Sequence, residues 1–171
     1  MEYTVKRSKR KTVSIEITGE RRVLVRAPLY MSLDDIDGFV RKYGGWIDKR
    51  LADAERQAEF AESVRLMEPE LRKAAQTVIP PLVERYSELM GLKPSSVRIT
   101  SAEKRFGSCR GKNGVCFSWR LMAYPTPAVE YVVVHELAHI KHHNHGREFY
   151  ALIEKYMPDW KERRKMLRTV C

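Results

Sequence analysis

The sequence predicts an α+β chain: an N-terminal antiparallel hairpin, two long helices, a small β-sheet with its own hairpin, and then helices to the C-terminus. Three observations carry that prediction. Apolar and polar residues alternate from Val13 to Ile17 and again at Val23 and Val25; apolar residues recur at helical spacing through 33–91; and period-2 patterning returns at Ser95 before a helical pattern resumes after Pro127. No internal sequence repeat or low-complexity linker divides the chain, so one domain over 1–171 is expected, with a hairpin region at 1–30, a helical segment at 31–91 and a core at 92–171.

Each element has a local reason. Thr18-Gly19-Glu20 separates the two alternating runs of the first hairpin, and Pro28 closes it. Ser32 then offers an N-cap with Asp35 three residues on, and Leu33, Ile36, Phe39, Val40, Tyr43, Ile47 and Leu51 follow at helical spacing, which predicts a helix over about 33–64. A second helix over about 68–91 is marked by Leu71, Ala75, Val78, Leu82 and Leu89, with Pro80-Pro81 inside it and Gly91 at its end. Further on, Val97 and Ile99 alternate, Asn113-Gly114 signals a hairpin turn, and Val115, Phe117, Trp119 and Leu121 place four large apolar groups on one strand face. Thr126 is a plausible N-cap and Pro127 a favoured first residue for the next helix.

Composition narrows the class. With 43% hydrophobic and 32% charged residues the 171-residue chain buries a real core, which excludes a disordered tail and a disulfide mini-scaffold. The formal charge of +10 is uneven: residues 1–30 hold eight basic against three acidic side chains, and 92–127 hold seven against one. Such basic blocks suit nucleic acid or an anionic substrate. No apolar run reaches the ~18 residues of a spanning helix, and Met1-Glu2-Tyr3-Thr4 has no signal-peptide core, so a cytoplasmic chain without membrane contact is expected. Three cysteines, Cys109, Cys116 and Cys171, make a poor disulfide framework and read as free thiols. Cys109 and Cys116 would be direct cross-strand neighbours about a Lys112-Asn113 loop, or a diagonal pair about Asn113-Gly114.

All five histidines fall in one window, 135–145. Within it stands His135-Glu136-Leu137-Ala138-His139, the H-E-x-x-H pattern of zinc hydrolases. On a helix, residues i and i+4 lie about 40° apart one turn along, so His135 and His139 present their rings to one point. Glu136 is turned about 100° from His135, too short to ligate but placed to take a proton from a water on the cation. A catalytic zinc wants a third protein ligand. His145, six residues past His139, is the first candidate, provided the helix ends between them, and Asn144 and Gly146 tolerate the left-handed or turn conformations such an ending needs; Glu162 on the presumed C-terminal helix is the runner-up. His142 and His143 read as surface or supporting groups. The nearest donors in sequence for a developing oxyanion are Arg120 and Tyr150, as substrate-contacting candidates. Zinc is the expected metal, although three imidazoles also accept Ni2+, Co2+ or Mn2+.

Three functions fit these residues. The first is a metal-dependent hydrolase acting as a metallopeptidase, with Glu136 the catalytic base. The second is a divalent-metal-dependent nucleotide phosphoanhydride hydrolase, a pyrophosphatase, motivated by the basic block at 92–127 leading into the histidine helix; Gly111-Lys112-Asn113-Gly114, however, reads as a turn and not a phosphate loop. The third is a nucleic-acid-associated protein or protease, motivated by Lys6-Arg7-Ser8-Lys9-Arg10-Lys11 and Lys161-Glu162-Arg163-Arg164-Lys165. The third is not favoured, because neither run is interleaved with exposed aromatics. The expected partner is therefore a peptide or an anionic small molecule, and no obligate protein partner is evident.

Taken together, Arg105-Phe106-Gly107-Ser108-Cys109, Trp119-Arg120-Leu121, Tyr131 through His139, Asn144-His145, Phe149-Tyr150 and Pro158-Asp159-Trp160 resemble the YgjP-like metal-dependent hydrolases, relatives of the WLM and SprT-type zincins. Arg7-Ser8, Lys11-Thr12-Val13-Ser14-Ile15 and Val25-Arg26-Ala27-Pro28 extend that resemblance to the N-terminal hairpin. It implies a zincin-like helix over the H-E-x-x-H motif, His135, His139 and His145 as zinc ligands, and Glu136 as the catalytic residue. Phe106 and Ser118 stand where that family more often has Trp and Asn.

Overall fold

The computed structural model describes residues 1–168, so that Cys171, one of the expected free thiols, lies outside the described residues. The chain is α+β and divides into two compact units, residues 1–59 and residues 60 onward.

In the first unit, β1 (Thr4–Ser8), β2 (Ser14–Ile17) and β3 (Val23–Pro28) form a sheet in the order β1-β3-β2. The expected hairpin is present: β2 runs antiparallel to β3 with Ile15 opposite Val25 and Ile17 opposite Val23. Its turn is tied by the Arg21 N–H donating to the Thr18 carbonyl at 2.8 Å, with Arg21 at φ 60°. β1 adds a third strand, parallel to β3, that the alternation did not announce. Val23, Val25 and Ala27 project from one face of β3 into a core with Ile36, Val40 and Ile47.

Ile36 and Val40 lie on α1 (Leu33–Lys42), whose start is capped as expected, the Asp35 N–H donating to Ser32 Oγ at 3.1 Å. The single helix expected over 33–64 is two. The chain leaves helical geometry at Tyr43, φ −102° and ψ 13°, immediately before Gly44-Gly45, and restarts as α2 (Gly44–Leu66). Two successive glycines hold a helix too weakly to carry it across without strong packing. The border between the compact units falls within α2, a different division from the segments 1–30, 31–91 and 92–171 drawn from the sequence.

In the second unit α3 (Glu68–Met90) runs through Pro80-Pro81 and ends where Gly91 takes the left-handed conformation, φ 64°. β4 (Ser96–Thr100), β5 (Gly107–Arg110) and β6 (Gly114–Ser118) form a second sheet in the order β4-β6-β5, with β4 parallel and β5 antiparallel to β6. The hairpin turn is not Asn113-Gly114. It occupies Gly111–Asn113, with Lys112 and Asn113 at φ 67° and 62°, and Gly114 begins β6. A Cβ on Gly114 would stand 2.9 Å from Ser96 Oγ, so the glycine lets β4 approach instead of making the turn. The shifted register sets Cys109 opposite Val115 and Cys116 opposite Ser108, on opposite faces of the hairpin. Both pairings expected for the two thiols are thus corrected.

The apolar alternation also outruns the strand. β6 stops at Ser118, and Trp119 and Leu121 belong to a 3-10 turn over Trp119–Ala123 that packs on α3. The next helix, α4 (Thr126–Lys141), begins one residue earlier than expected: Thr126 is already helical and Pro125 precedes it without a side-chain cap. α5 (Arg147–Tyr156) and α6 (Trp160–Met166) complete the unit. Phe117, Trp119, Leu121, Val133, Leu137, Phe149 and Ile153 are fully buried in one core that holds α4 by its apolar face. Among the described residues, no helix is long and apolar enough to cross a membrane.

Candidate metal centre

α4 is held at its start by prolines and along its length by Val129, Val132, Val133 and Leu137 against the core, which leaves His135 and His139 on a half-buried stripe. The chain then turns sharply. His142 takes an extended conformation, φ −125° and ψ 104°, and Gly146 is also extended at φ −76° and ψ −176°, so the reversal uses no left-handed residue at Asn144 or Gly146. This brings His145 back over the helix. One nitrogen from each of His135, His139 and His145 lies within 4.8 Å of the other two, and the Nε2 atoms of His135 and His145 are 3.1 Å apart.

That spacing fits a cation. Two imidazole nitrogens on bonds of about 2.05 Å at a tetrahedral angle stand about 3.3 Å apart. The ring orientations fit as well. His139 Nδ1 lies 3.0 Å from the His142 carbonyl, which only accepts, so Nδ1 carries the proton and Nε2 keeps its lone pair. His135 Nδ1 lies 3.4 Å from the hydroxyl of buried Tyr131, one turn back along α4. Beneath all three rings is fully buried Phe149, its centroid 4.9 Å from His135, 4.5 Å from His139 and 4.8 Å from His145. Burial disfavours the charged imidazoles: His135 is pushed down to about 3, with His139 and His145 adding to the effect, and His139 is also lowered. The rings of His135 and His139 are thereby held in the neutral form that can ligate a positive ion.

Glu136 is buried at 6% exposure, beside the cluster. Desolvation raises its pKa to about 7, against the opposing pull of a hydrogen bond from the Cys109 backbone and the charge of Arg105. Its carboxyl sits against the backbone of β5. A Cβ built on Gly107 would come within 2.6 Å of Glu136 Cγ and Oε1, so only glycine leaves the carboxyl its place.

Other residues singled out from the sequence take varied positions. Tyr150 is a ring neighbour of His145 at 6.3 Å and stacks on Trp160 at 5.0 Å. Arg120 donates to the Ser101 carbonyl at 2.9 Å and to Glu103 at 3.2 Å, and lies over the Trp119 ring, so it straps the segment before β5. Glu162 pairs with Lys165 on α6 and is not in the histidine cluster. His142 contributes its carbonyl to the site while its ring faces Glu148 at 3.6 Å. Gly107, Tyr131 and Phe149 belong to the surroundings of the cluster without a motif in the sequence that assigns them there. The spacing of Tyr131 four residues before His135 was the one local signal for any of them.

A family model for the YgjP-like metallopeptidase domain matches residues 58–170, more than half of the chain. Among solved structures, the crystal structure of the metallopeptidase zymogen of Pyrococcus abyssi abylysin matches with a TM-score of 0.49 and 22% identity, over 54% of this chain and 93% of that one. No curated protein matches.

Proposed function

The chain belongs to the YgjP-like metallopeptidase family, a family of metal-dependent hydrolases, and we propose that it is a zinc-dependent hydrolase of amide bonds in which Glu136 is the general base. The observation that carries the reading is the convergence of three histidine nitrogens beside one buried carboxyl group. His135, His139 and His145 would hold the ion, and three imidazoles with a fourth position free are a donor set suited to catalytic zinc. Zinc, when bound, supplies Lewis acidity, lowering the pKa of water toward ~7 and polarising the carbonyl under attack.

The remaining steps fall to the chain's own groups. The His142 carbonyl fixes the His139 ring with the Nε2 lone pair free for an ion, and the Tyr131 hydroxyl orients the His135 ring. Glu136 takes the proton from the attacking water and returns it to the leaving nitrogen. Burial raises the carboxyl's pKa, which favours its taking up the proton, and the positive charge of a bound ion would pull it back toward the ionised form that acts as base. Gly107 and the Cys109 backbone hold the carboxyl in place for it.

Elemental analysis of the purified protein tests the premise: zinc near one equivalent in the wild type and none in His139→Ala is expected, and equal, negligible metal in both overturns it. Glu136→Gln should keep the metal and lose about a hundredfold to ten-thousandfold in peptide hydrolysis.

A further inference from the structure

Phe39, Tyr43, Trp46 and Arg50 recur four, three and four residues apart across the junction of α1 and α2. The junction departs from helical geometry but keeps its backbone hydrogen bonds: the Tyr43 N–H donates to the Phe39 carbonyl at 3.2 Å, and the Ile47 N–H to the Tyr43 carbonyl at 3.0 Å. The four side chains therefore form one stripe, beside the buried stripe of Ile36, Val40 and Ile47. Contacts along it are direct. The Phe39 and Tyr43 ring centroids are 4.7 Å apart, Lys42 Nζ lies 5.8 Å from the Tyr43 centroid, and the Arg50 guanidinium lies 5.5 Å from that of Trp46.

Tyr43 is 40% exposed and Trp46 43%, so each presents part of a ring to solvent. The cations beside them are unmatched. Among the described residues, Lys42, Lys49 and Arg50 form no ion pair, whereas their basic neighbours Arg56 and Arg21 are matched to Asp53 and Glu55. Trp46 and Arg50 also line a cavity of about 680 Å³, together with Thr18, Gly19 and Gln57. Flat faces, unmatched cations and hydrogen-bonding groups suit a ligand that is itself planar, anionic and edged with donors and acceptors. Rings more than half covered stack and do not insert, which favours a nucleobase over a lipid chain as the occupant. The interleaving of cation and aromatic ring that the runs at 6–11 and 161–165 lack is thus supplied at 39–50 by the helix period.

We propose that this stripe of the first unit binds single-stranded nucleic acid, with nucleobases stacking on Tyr43, Trp46 and the Arg50 guanidinium and with Lys42 and Lys49 taking the adjoining phosphates. The seven residues from Tyr43 to Arg50 span ~10.5 Å of helix, the length of about three nucleotides in a stacked strand. A duplex hides its base faces and offers this surface only phosphates, so the site selects single strands. Thirteen basic against ten acidic side chains in residues 1–59 keep the surrounding charge favourable to a polyanion. Such binding needs neither the metal nor hydrolysis.

The test is fluorescence anisotropy of the full chain with labelled single-stranded RNA and DNA and with a duplex of the same sequence. Single strands should bind about tenfold tighter than the duplex or more. Trp46→Leu and Arg50→Gln should each weaken single-strand binding about tenfold at unchanged melting temperature. Trp46→Leu keeps the charge, so its effect separates stacking from general attraction, and Arg50 is exposed, so Arg50→Gln reads the site even where Trp46→Leu disturbs the fold. Lys49→Gln should weaken binding and reduce the slope of log affinity against log salt by about 0.7. His139→Ala should bind as the wild type does. Equal binding of single strands and duplex, full affinity in Trp46→Leu and Arg50→Gln, or loss of binding in His139→Ala overturns the proposal. So does binding to phosphatidylserine vesicles that depends on the stripe, with none to either oligonucleotide, which assigns the surface to a membrane.

Discussion

The two sheets of this protein have the same topology. In each, the first strand is parallel to the third and the second is an antiparallel edge strand, in the orders β1-β3-β2 and β4-β6-β5. In each the third strand is the middle one and supplies buried residues, Val23, Val25 and Ala27 in the first and Val115 and Phe117 in the second. They part company at the second strand. β2 starts with Ser14, partly buried and in ordinary pairing with Arg26, whereas β5 starts with Gly107, pressed against a buried carboxyl group. Shared backbone topology thus comes with different surroundings, and among the described residues it is the edge strand of the second sheet, packed on α4, that meets a buried acid.

The same small substitution at the two matched positions should therefore have unequal consequences. Gly107→Ala places a methyl group 2.6 Å from Glu136 Cγ and Oε1, so the buried side chain or the strand has to shift. We expect a loss of about 3 kcal/mol of stability, the upper end of overpacking costs, together with most of the hydrolytic activity. Ser14→Ala at the start of β2 should stay within about 0.5 kcal/mol of wild type. Urea denaturation of both variants measures the contrast, and similar costs at the two positions would mean that the close approach of β5 to Glu136 is not what distinguishes the sheets.

What the sequence conveyed follows the range of the interactions involved. The i, i+4 spacing of His135 and His139, the Ser32 cap, the Gly91 helix end and the alternation of the β2–β3 hairpin are local, and each is present in the structure. The contact of Gly107 with Glu136 joins residues distant in sequence and leaves no periodic trace. The turn at Gly111–Asn113 escaped because Asn113-Gly114 is a strong signal in isolation, but the approach of Ser96 reserves Gly114 for the strand. Trp119 and Leu121 extended the alternation because a 3-10 turn packed on α3 buries them as fully as a strand would. Arg120 is a candidate for the substrate by its sequence position alone, and its guanidinium goes to Ser101 and Glu103, partners that no local pattern connects to it.

Glu136 offers a second way to sharpen the comparison, since the first sheet has no buried acid among the described residues. In the metal-free protein its pKa is about 7, above the ordinary 4.5. The folded state therefore binds more protons than the unfolded state between those values, and the charged carboxyl destabilises the fold fully above pH 7 and not at all below 4.5. Glu136→Gln, which cannot ionise, should exceed chelated wild type in stability by on the order of 2 kcal/mol at alkaline pH, with the gap closing as the pH falls toward 4.5. Thermal melts of both proteins in chelator across that range give the result; a gap independent of pH would assign the difference to shape and not to charge.

The smallest expected effect contrasts two tyrosine hydroxyls. Tyr3 in the first unit donates to Asp37 at an exposed position, while Tyr131 in the second is buried with its hydroxyl 3.4 Å from His135 Nδ1. Removing the exposed hydroxyl exchanges one hydrogen bond for another with water, so Tyr3→Phe should shift stability by no more than about 1 kcal/mol and leave metal binding alone. Removing the buried one leaves His135 Nδ1 without its partner and frees the ring to turn. Tyr131→Phe should then weaken metal affinity about tenfold, close to 1.4 kcal/mol, with a much smaller change in the melting temperature of chelated protein. Competition with a chromogenic chelator reads the affinity directly. An unchanged affinity in Tyr131→Phe would assign the orientation of His135 to Phe149 packing alone, and a loss of affinity matched by an equal loss of metal-free stability would make Tyr131 a core residue like any other.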